Sequence, residues 1–288
     1  MTMATTPDEL DDAGRRALET LIVSIADDEF VIAERYTEWQ VRAPSLESDL
    51  ALANIAQDEL GHARLWYDVL GDLGYKETDL LYERDPADFR QSTLCELSFE
   101  PGDWADPIVR SYLFDTAESI RLEALADSSY KPIATRVPKI SAEEDFHLDH
   151  ATAWLERLVE TDTGRSRVQA ALDRLYPHAC SLFEPALPPR LGSHTAELEP
   201  AAVESTIVEC GLRPVPLADL QTSWFDTVSE TLSDLELTVP DGSTPPEATG
   251  RNGRHTDDWF ELHEDFTHTY RELGRTDTTR IMATPDDA

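Results

Sequence analysis

An all-α four-helix bundle with one long crossover and additional C-terminal helices is the fold class the sequence predicts. Two observations predict it. Apolar residues recur at helical spacing through four long segments, and the connections between those segments run short, long, short. A third supports it: little of the chain alternates apolar and polar residues as a half-buried strand would.

Residues 1–12 are polar and acidic and read as a disordered tail. Residues 13–275 read as a single helical domain, with a core bundle over about 14–160 and further helices over about 165–274; residues 276–288 form a second tail. The first helix runs from Arg15 to about Val41, with Leu18, Leu21, Ile22, Ile25, Ile32 and Tyr36 at helical spacing. Pro44 and Ser45 break it, and a second helix spans about 46–73, ending near Gly74. Residues 75–105 lack periodicity and contain Pro86, Pro101 and Gly102; this is the crossover. A third helix follows Pro107 to about Ser128, and a tight turn at Tyr130–Pro132 leads into a fourth that ends near Glu160. That order of connections is the ferritin-like arrangement. Beyond Gly164 we expect helices over about 165–184, 200–210 and 217–234, with a proline-rich loop at Pro185, Pro188 and Pro189. The stretch 239–254 holds three prolines and three glycines and reads as a surface loop. Thr256 is placed to cap a last helix that ends near Gly274, with Asp257 and Asp258 in its first turn.

Composition narrows the function classes. Hydrophobic residues make up 40% of the 288, enough for a core. No run of about 18 apolar residues is present, so no membrane span is expected. The first residues lack the basic and apolar stretches of a signal peptide, which points to the cytoplasm. Net charge is −34, and three of the 24 basic residues are lysines, Lys76, Lys131 and Lys139. Such a surface has no basic face for nucleic acid. It suits a halophilic source, where salt screens the self-repulsion. Cys95, Cys180 and Cys210 have neither metal-ligand spacing nor a disulfide framework.

The chemistry sits in two matching motifs. Helix 2 carries Asp58-Glu59-Leu60-Gly61-His62, and helix 4 carries Glu143-Glu144-Asp145-Phe146-His147. Each is Glu-x-x-His, and residues i and i+3 share a helix face. Glu59 lies on the stripe of Leu52, Ile55 and Trp66; Glu144 and His147 lie with Val137, Ile140, Ala151 and Trp154. These faces should be buried, where an unpartnered carboxylate costs several kcal/mol. Helix 1 adds Glu29, between Ile25 and Ile32, and helix 3 adds Asp115, with Glu118 one turn on as its alternate. Glu29 precedes Glu59 by 30 residues and Asp115 precedes Glu144 by 29. Two similar hairpins facing each other would bring Glu29, Glu59, His62, Asp115, Glu144 and His147 around one point. Asp58 and Glu143 are placed to accept the second ring N–H of His62 and His147. Two divalent cations would remove both the burial cost and the mutual repulsion. Hard oxygens with two imidazoles and no thiolate suit iron, or manganese, better than zinc. A single Glu-x-x-His is common by chance; the doubled motif with its upstream acids is not. His150, His178, His194, His255, His263 and His268 show no ligand role.

The chain resembles the ferritin-like subunits of phenylacetyl-CoA epoxidase (ring-1,2-epoxidase), and the PaaC type in particular. The resemblance rests on Arg42-Ala43-Pro44-Ser45-Leu46, the run Asp49 to Ala56, Leu60-Gly61-His62-Ala63-Arg64, the Asp115 region, Trp154 to Leu158, and Gly253-Arg254-His255-Thr256. It covers about residues 20–273. It implies a multicomponent oxygenase with two iron ions, electrons from NADPH through a separate reductase, and a CoA-thioester substrate. It also implies a PaaA-type partner and other epoxidase subunits. Many PaaC-type subunits lack part of the ligand set; here all six positions match the catalytic PaaA type. A structural partner without its own catalysis and another ferritin-like di-metal oxidase are the alternative readings.

Overall fold

Helix α1 (Asp12–Thr37) starts where the Asp11 side chain accepts from the Gly14 amide at 2.8 Å. The computed structural model describes residues 4, 6–100, 102–191, 198–240, 244–247 and 249–276. Pro101, His194 and the tail from residue 277 onward lie outside the described residues. Helix α1 is shorter than its apolar pattern predicts. Residues 38–42 are turns, and Val41 takes a left-handed φ of 66° that no helix continues through. The turn folds Trp39 into the core and leaves Val41 exposed.

Helix α2 (Leu46–Gly71) begins at Ser45, whose hydroxyl accepts from the Ser48 amide at 3.2 Å. Helices α3 (Ala105–Ala126) and α4 (Val137–Val159) form the second hairpin. The hairpins α1–α2 and α3–α4 bury Ile22, Ile32, Leu52, Trp66, Ile108, Leu122, Ile140 and Leu155 in one core. Helices α5 (Asp162–Ala179), α6 (Pro200–Glu209) and α7 (Leu217–Asp234) brace the bundle. Trp224 of α7 stacks on Tyr176 at 5.3 Å and donates to the Leu113 carbonyl at 3.0 Å. Among the described residues there is no strand, only an isolated bridge between Ala4 and Tyr130. Where it is described, the expected N-terminal tail is thus docked: the Ala4 carbonyl accepts from Lys131 N at 2.9 Å, and residues Pro7–Glu9 form a helical turn. No helix among the described residues is long and apolar enough to cross a membrane.

Two segments that read as loops are core. The crossover forms helical pieces at Glu77–Leu81, Pro86–Asp88 and Thr93–Glu96, and Phe89 to Glu96 are buried. Backbone this deep needs acceptors. Asp27 accepts from Arg90 N and Asp28 from Ser92 N, each at 2.7 Å. In the stretch expected as a surface loop, Thr249, Gly250 and Arg251 are buried against this crossover. A side chain at Gly250 would place its Cβ 2.1 Å from the Gln91 carbonyl oxygen, so only glycine fits. Helix α8 (Asp257–Glu272) follows. Thr256 stands at its N-cap, but its hydroxyl donates to Glu96 at 3.0 Å instead of accepting from the helix.

His263 of α8 is 3% exposed among Phe89, Trp259 and Phe266, and burial pushes its pKa down to about 4. The unfolded chain takes that proton near 6.5, so stability is full above this pH and falls as pH drops toward 4. We expect His263 to account for roughly 2 kcal/mol of that fall. Urea midpoints at pH 7 and pH 4.5 check it: the drop should shrink in His263→Phe.

Candidate metal centre

All six predicted ligand residues are buried in the bundle interior. Ligand atoms of Glu29, Glu59, His62 and Glu144 lie within 4.8 Å of one another. The two imidazoles face the cluster through Nδ1. His62 Nδ1 stands 3.1 Å from Glu144, 3.4 Å from Glu59 and 3.8 Å from Glu29. His147 Nδ1 stands 3.5 Å from Glu59 and 3.4 Å from Glu144. Glu59 and Glu144 therefore sit between two rings whose centres are 6.0 Å apart. Glu29 lies toward His62. Asp115 has Glu144, His147 and Glu59 as its charged neighbours.

The outer nitrogens are held by acids, but the pairing crosses between hairpins. Glu143 of α4 meets His62 Nε2 of α2 at 2.9 Å, and Asp58 of α2 meets His147 Nε2 of α4 at 3.4 Å. Each acid lies one helical turn before its own histidine and shares a face with it, yet it is the imidazole of the facing motif that it meets.

Electrostatics show what the cluster lacks. Both oxygens of Glu29, Glu59 and Glu144, one oxygen of Asp115, and Nδ1 of both histidines are buried without a hydrogen-bond partner among the described residues. Burial, then the nearby charges of Glu118 and Glu59, raise the Glu29 pKa well above the ordinary carboxylate value. Burial and Glu144 raise Asp115 in the same way. Burial would also raise Glu59, but Glu29, His147 and His62 pull it below its ordinary value. Burial disfavours a charged ring at His147, yet Glu144 and Glu59 push it up to about 11. His62 is raised further by Glu144, Glu29 and Glu59. Protons are thus drawn into the cluster as substitute cations. Four carboxylates carry four negative charges, which two divalent ions cancel while leaving both imidazoles neutral. The residues fit a pair of such ions.

Glu118 differs from Asp115. One of its oxygens is bonded by Arg121, and Arg121 also donates to Asp28 at 2.7 Å. Among the described residues Asp115 accepts a single hydroxyl bond, from Ser111 at 2.6 Å. Sequence reasoning missed the frame behind these groups. Asp28 accepts from Arg121 and, at 2.6 Å, from Arg251; Asp27 accepts from Arg84 at 2.5 Å and from Tyr67 at 2.6 Å. The available signal was three successive acids, Asp27-Asp28-Glu29, inside an apolar helix.

Fold and site together define a ferritin-like helical bundle with a buried carboxylate–histidine cluster suited to two metal ions. The chain belongs to the family described as Phenylacetic acid catabolic protein, whose PaaA/PaaC model matches residues 1–276. It is 30% identical over 244 residues to the C component of 1,2-phenylacetyl-CoA epoxidase from Escherichia coli K12, covering 83% of this chain and 90% of that one. It is 28% identical over 179 residues to the A component of the same enzyme from that organism, covering 62% of this chain and 57% of that one. Among solved structures, a protein from Synechococcus described as having aldehyde deformylating oxidase activity matches with a TM-score of 0.53 at 18% identity, over 80% of this chain and 94% of that one. This last likeness concerns the fold.

Proposed function

We propose that the chain is one component of a multisubunit phenylacetyl-CoA ring-1,2-epoxidase and carries its own di-iron centre. One observation carries this reading: Glu59 and Glu144 each stand between both imidazoles, with none of their oxygens hydrogen-bonded. A chain kept only as scaffold has no need for this arrangement, because unpaired buried acids destabilise it. Glu29, Glu59, His62, Asp115, Glu144 and His147 would hold the ions. Glu118 is the weaker fourth carboxylate, since Arg121 already holds it. Two irons, when bound, supply the reduction of dioxygen needed to place one oxygen atom on the aromatic ring of a CoA thioester; manganese fits the same donors.

The chain's residues do the rest. Glu143 and Asp58 fix the orientation of both imidazoles and keep Nδ1 turned inward. Ile25, Ile32, Leu122 and Ile140 keep bulk water from the cluster. Ala26, Ala33, Ala56 and Ala63, all buried beside the ligands, leave room or simply let the helices approach. Electrons come from NADPH through a separate reductase, and a PaaA-type chain and the other epoxidase components are the partners. We place the protein in a halophile, on the strength of its charge of −34.

A second reading has its own support. The match to the C component spans 90% of that protein, against 57% of the A component, so the body of the chain is closer to the former. In that reading the chain stabilises a catalytic partner. Glu59→Ala in the reconstituted complex separates the two. A catalytic chain should bind about two irons, and Glu59→Ala should abolish NADPH-dependent oxygen uptake. Unchanged turnover with Glu59→Ala would leave the scaffold role.

A further inference from the structure

A continuous run of aromatic rings leaves the cluster and reaches the surface. Tyr36 is fully buried on α1, with Asp115 and Glu59 as the acidic charges that bear on its hydroxyl. Its ring stacks on Phe99 at 6.3 Å. Phe99 meets Trp39 edge-on at 5.8 Å, Trp39 meets Trp104 at 5.9 Å, and Trp104 meets Trp154 at 5.5 Å. Trp104 and Trp154 are partly exposed and line a groove of about 300 Å³ together with Arg157 and Arg167. Arg157 lies over the Trp154 ring at 4.9 Å. The ring-to-ring spacings lie in the range of ordinary aromatic pairs, so packing alone accounts for each one singly. Packing does not explain why three tryptophans and a tyrosine, the side chains most readily oxidised by one electron, line up from an oxygen-reducing cluster to solvent. Nor does it explain why the Trp39 and Trp104 indole N–H groups, both buried, lack hydrogen-bond partners among the described residues.

We propose that Tyr36, Trp39, Trp104 and Trp154 form a one-electron relay between the cluster and this groove. The proposal rests on the metal-centre reading for its purpose. Tyr36 gives up one electron toward the cluster and its phenolic proton to the Ser111 hydroxyl beside it, which passes its own on to Asp115 at 2.6 Å. The Arg110 guanidinium lies 4.1 Å from the Phe99 ring centre, and its positive charge disfavours a cationic ring nearby. Loss of the proton leaves Tyr36 neutral and removes that conflict. Trp39 then refills the vacancy as Tyr36 recovers its proton, and Trp104 and Trp154 follow in turn, with Phe99 as a bridge that is not itself oxidised. A one-electron donor of the reduced-flavin class, at the groove, restores Trp154. The net change is one electron from donor to cluster, with all rings as they began.

The relay is testable in the full chain with no metal added. A ruthenium polypyridine photo-oxidant is attached through Thr163→Cys, an exposed groove position, in a Cys210→Ser background. After a flash, the oxidising equivalent should pass inward and appear as a neutral tyrosyl radical in transient absorption and electron paramagnetic resonance. That signal should be lost in Tyr36→Phe, with a tryptophan radical left in its place. It should also be lost in Trp104→Phe, which keeps the ring packing. A tyrosyl signal unchanged in either variant, or a radical that never leaves Trp154, overturns the relay. Iron analysis of the unlabelled chain after loading with ferrous ions tests the metal centre separately, so the two readings fail independently.

Discussion

Glu29→Gln is expected to stabilise the metal-free chain and to destabilise the iron-loaded one. Glu29 is fully buried, neither of its oxygens has a hydrogen-bond partner, and Glu59 and Glu118 are its charged neighbours. Without cations the buried carboxyl must take up a proton for the chain to fold, and that cost opposes folding. The neutral amide removes it at the same volume, and a gain of about 1 kcal/mol is expected. With ferrous iron under anaerobic conditions the balance inverts. A ligand at a hundred times its dissociation constant adds about 2.7 kcal/mol to the folded state. The parent chain should gain on that order, and Glu29→Gln should gain much less. Thermal midpoints of both proteins, with and without ferrous or manganous ions, give the four values needed. A parent chain whose midpoint does not respond to either metal, or a variant that responds equally, would falsify the assignment of Glu29.

The second large effect lies one layer out. Asp28→Ala should destabilise the chain by about 3–5 kcal/mol, the range for breaking a buried ion pair from one side. The change strands Arg121 and Arg251, both buried, and removes the acceptor for the Ser92 amide. It also unlatches the C-terminal segment, because Arg251 ties residues 249–253 to α1 through Asp28 and the Ser24 carbonyl. Asp8→Ala is the natural contrast. Asp8 pairs with Arg15 at a similar 2.5 Å, but its side chain is 92% exposed, so a loss of under about 1 kcal/mol is expected. Urea titrations decide it. Equal effects at the two positions would mean that the Asp28 network is not a structural keystone.

The bundle and the meeting of Glu29, Glu59, His62 and Glu144 were legible in the residues. Helical periodicity is a local signal, and carboxylates on apolar stripes mark the interior by their spacing alone. What stayed hidden depends on distant partners. The tie between Asp28 and Arg251 spans more than two hundred residues and has no periodic signature. The crossover and the 249–251 stretch read as loops because their burial rests on specific acceptors, such as Asp27 for Arg90 N, and not on apolar content. The end of α1 was not legible because Trp39 continues the apolar stripe after the backbone has left the helix at Thr37. Adjacency in the chain pairs each acid with its own histidine, whereas the docking of the two hairpins gives it the other one, a contact with no local signature.

That crossing has a consequence during synthesis. A nascent chain that has emerged only as far as Gly74 already displays Glu29, Glu59 and His62, yet the acid that orients His62 belongs to a stretch still to be translated. Neither half can prepare a complete coordination sphere, so the ribosome-bound fragment is a poor scavenger of ferrous ions. If the proposed di-iron reading holds, metal capture waits for both hairpins to dock, and the chemistry of oxygen is withheld from a polypeptide that could not yet contain it.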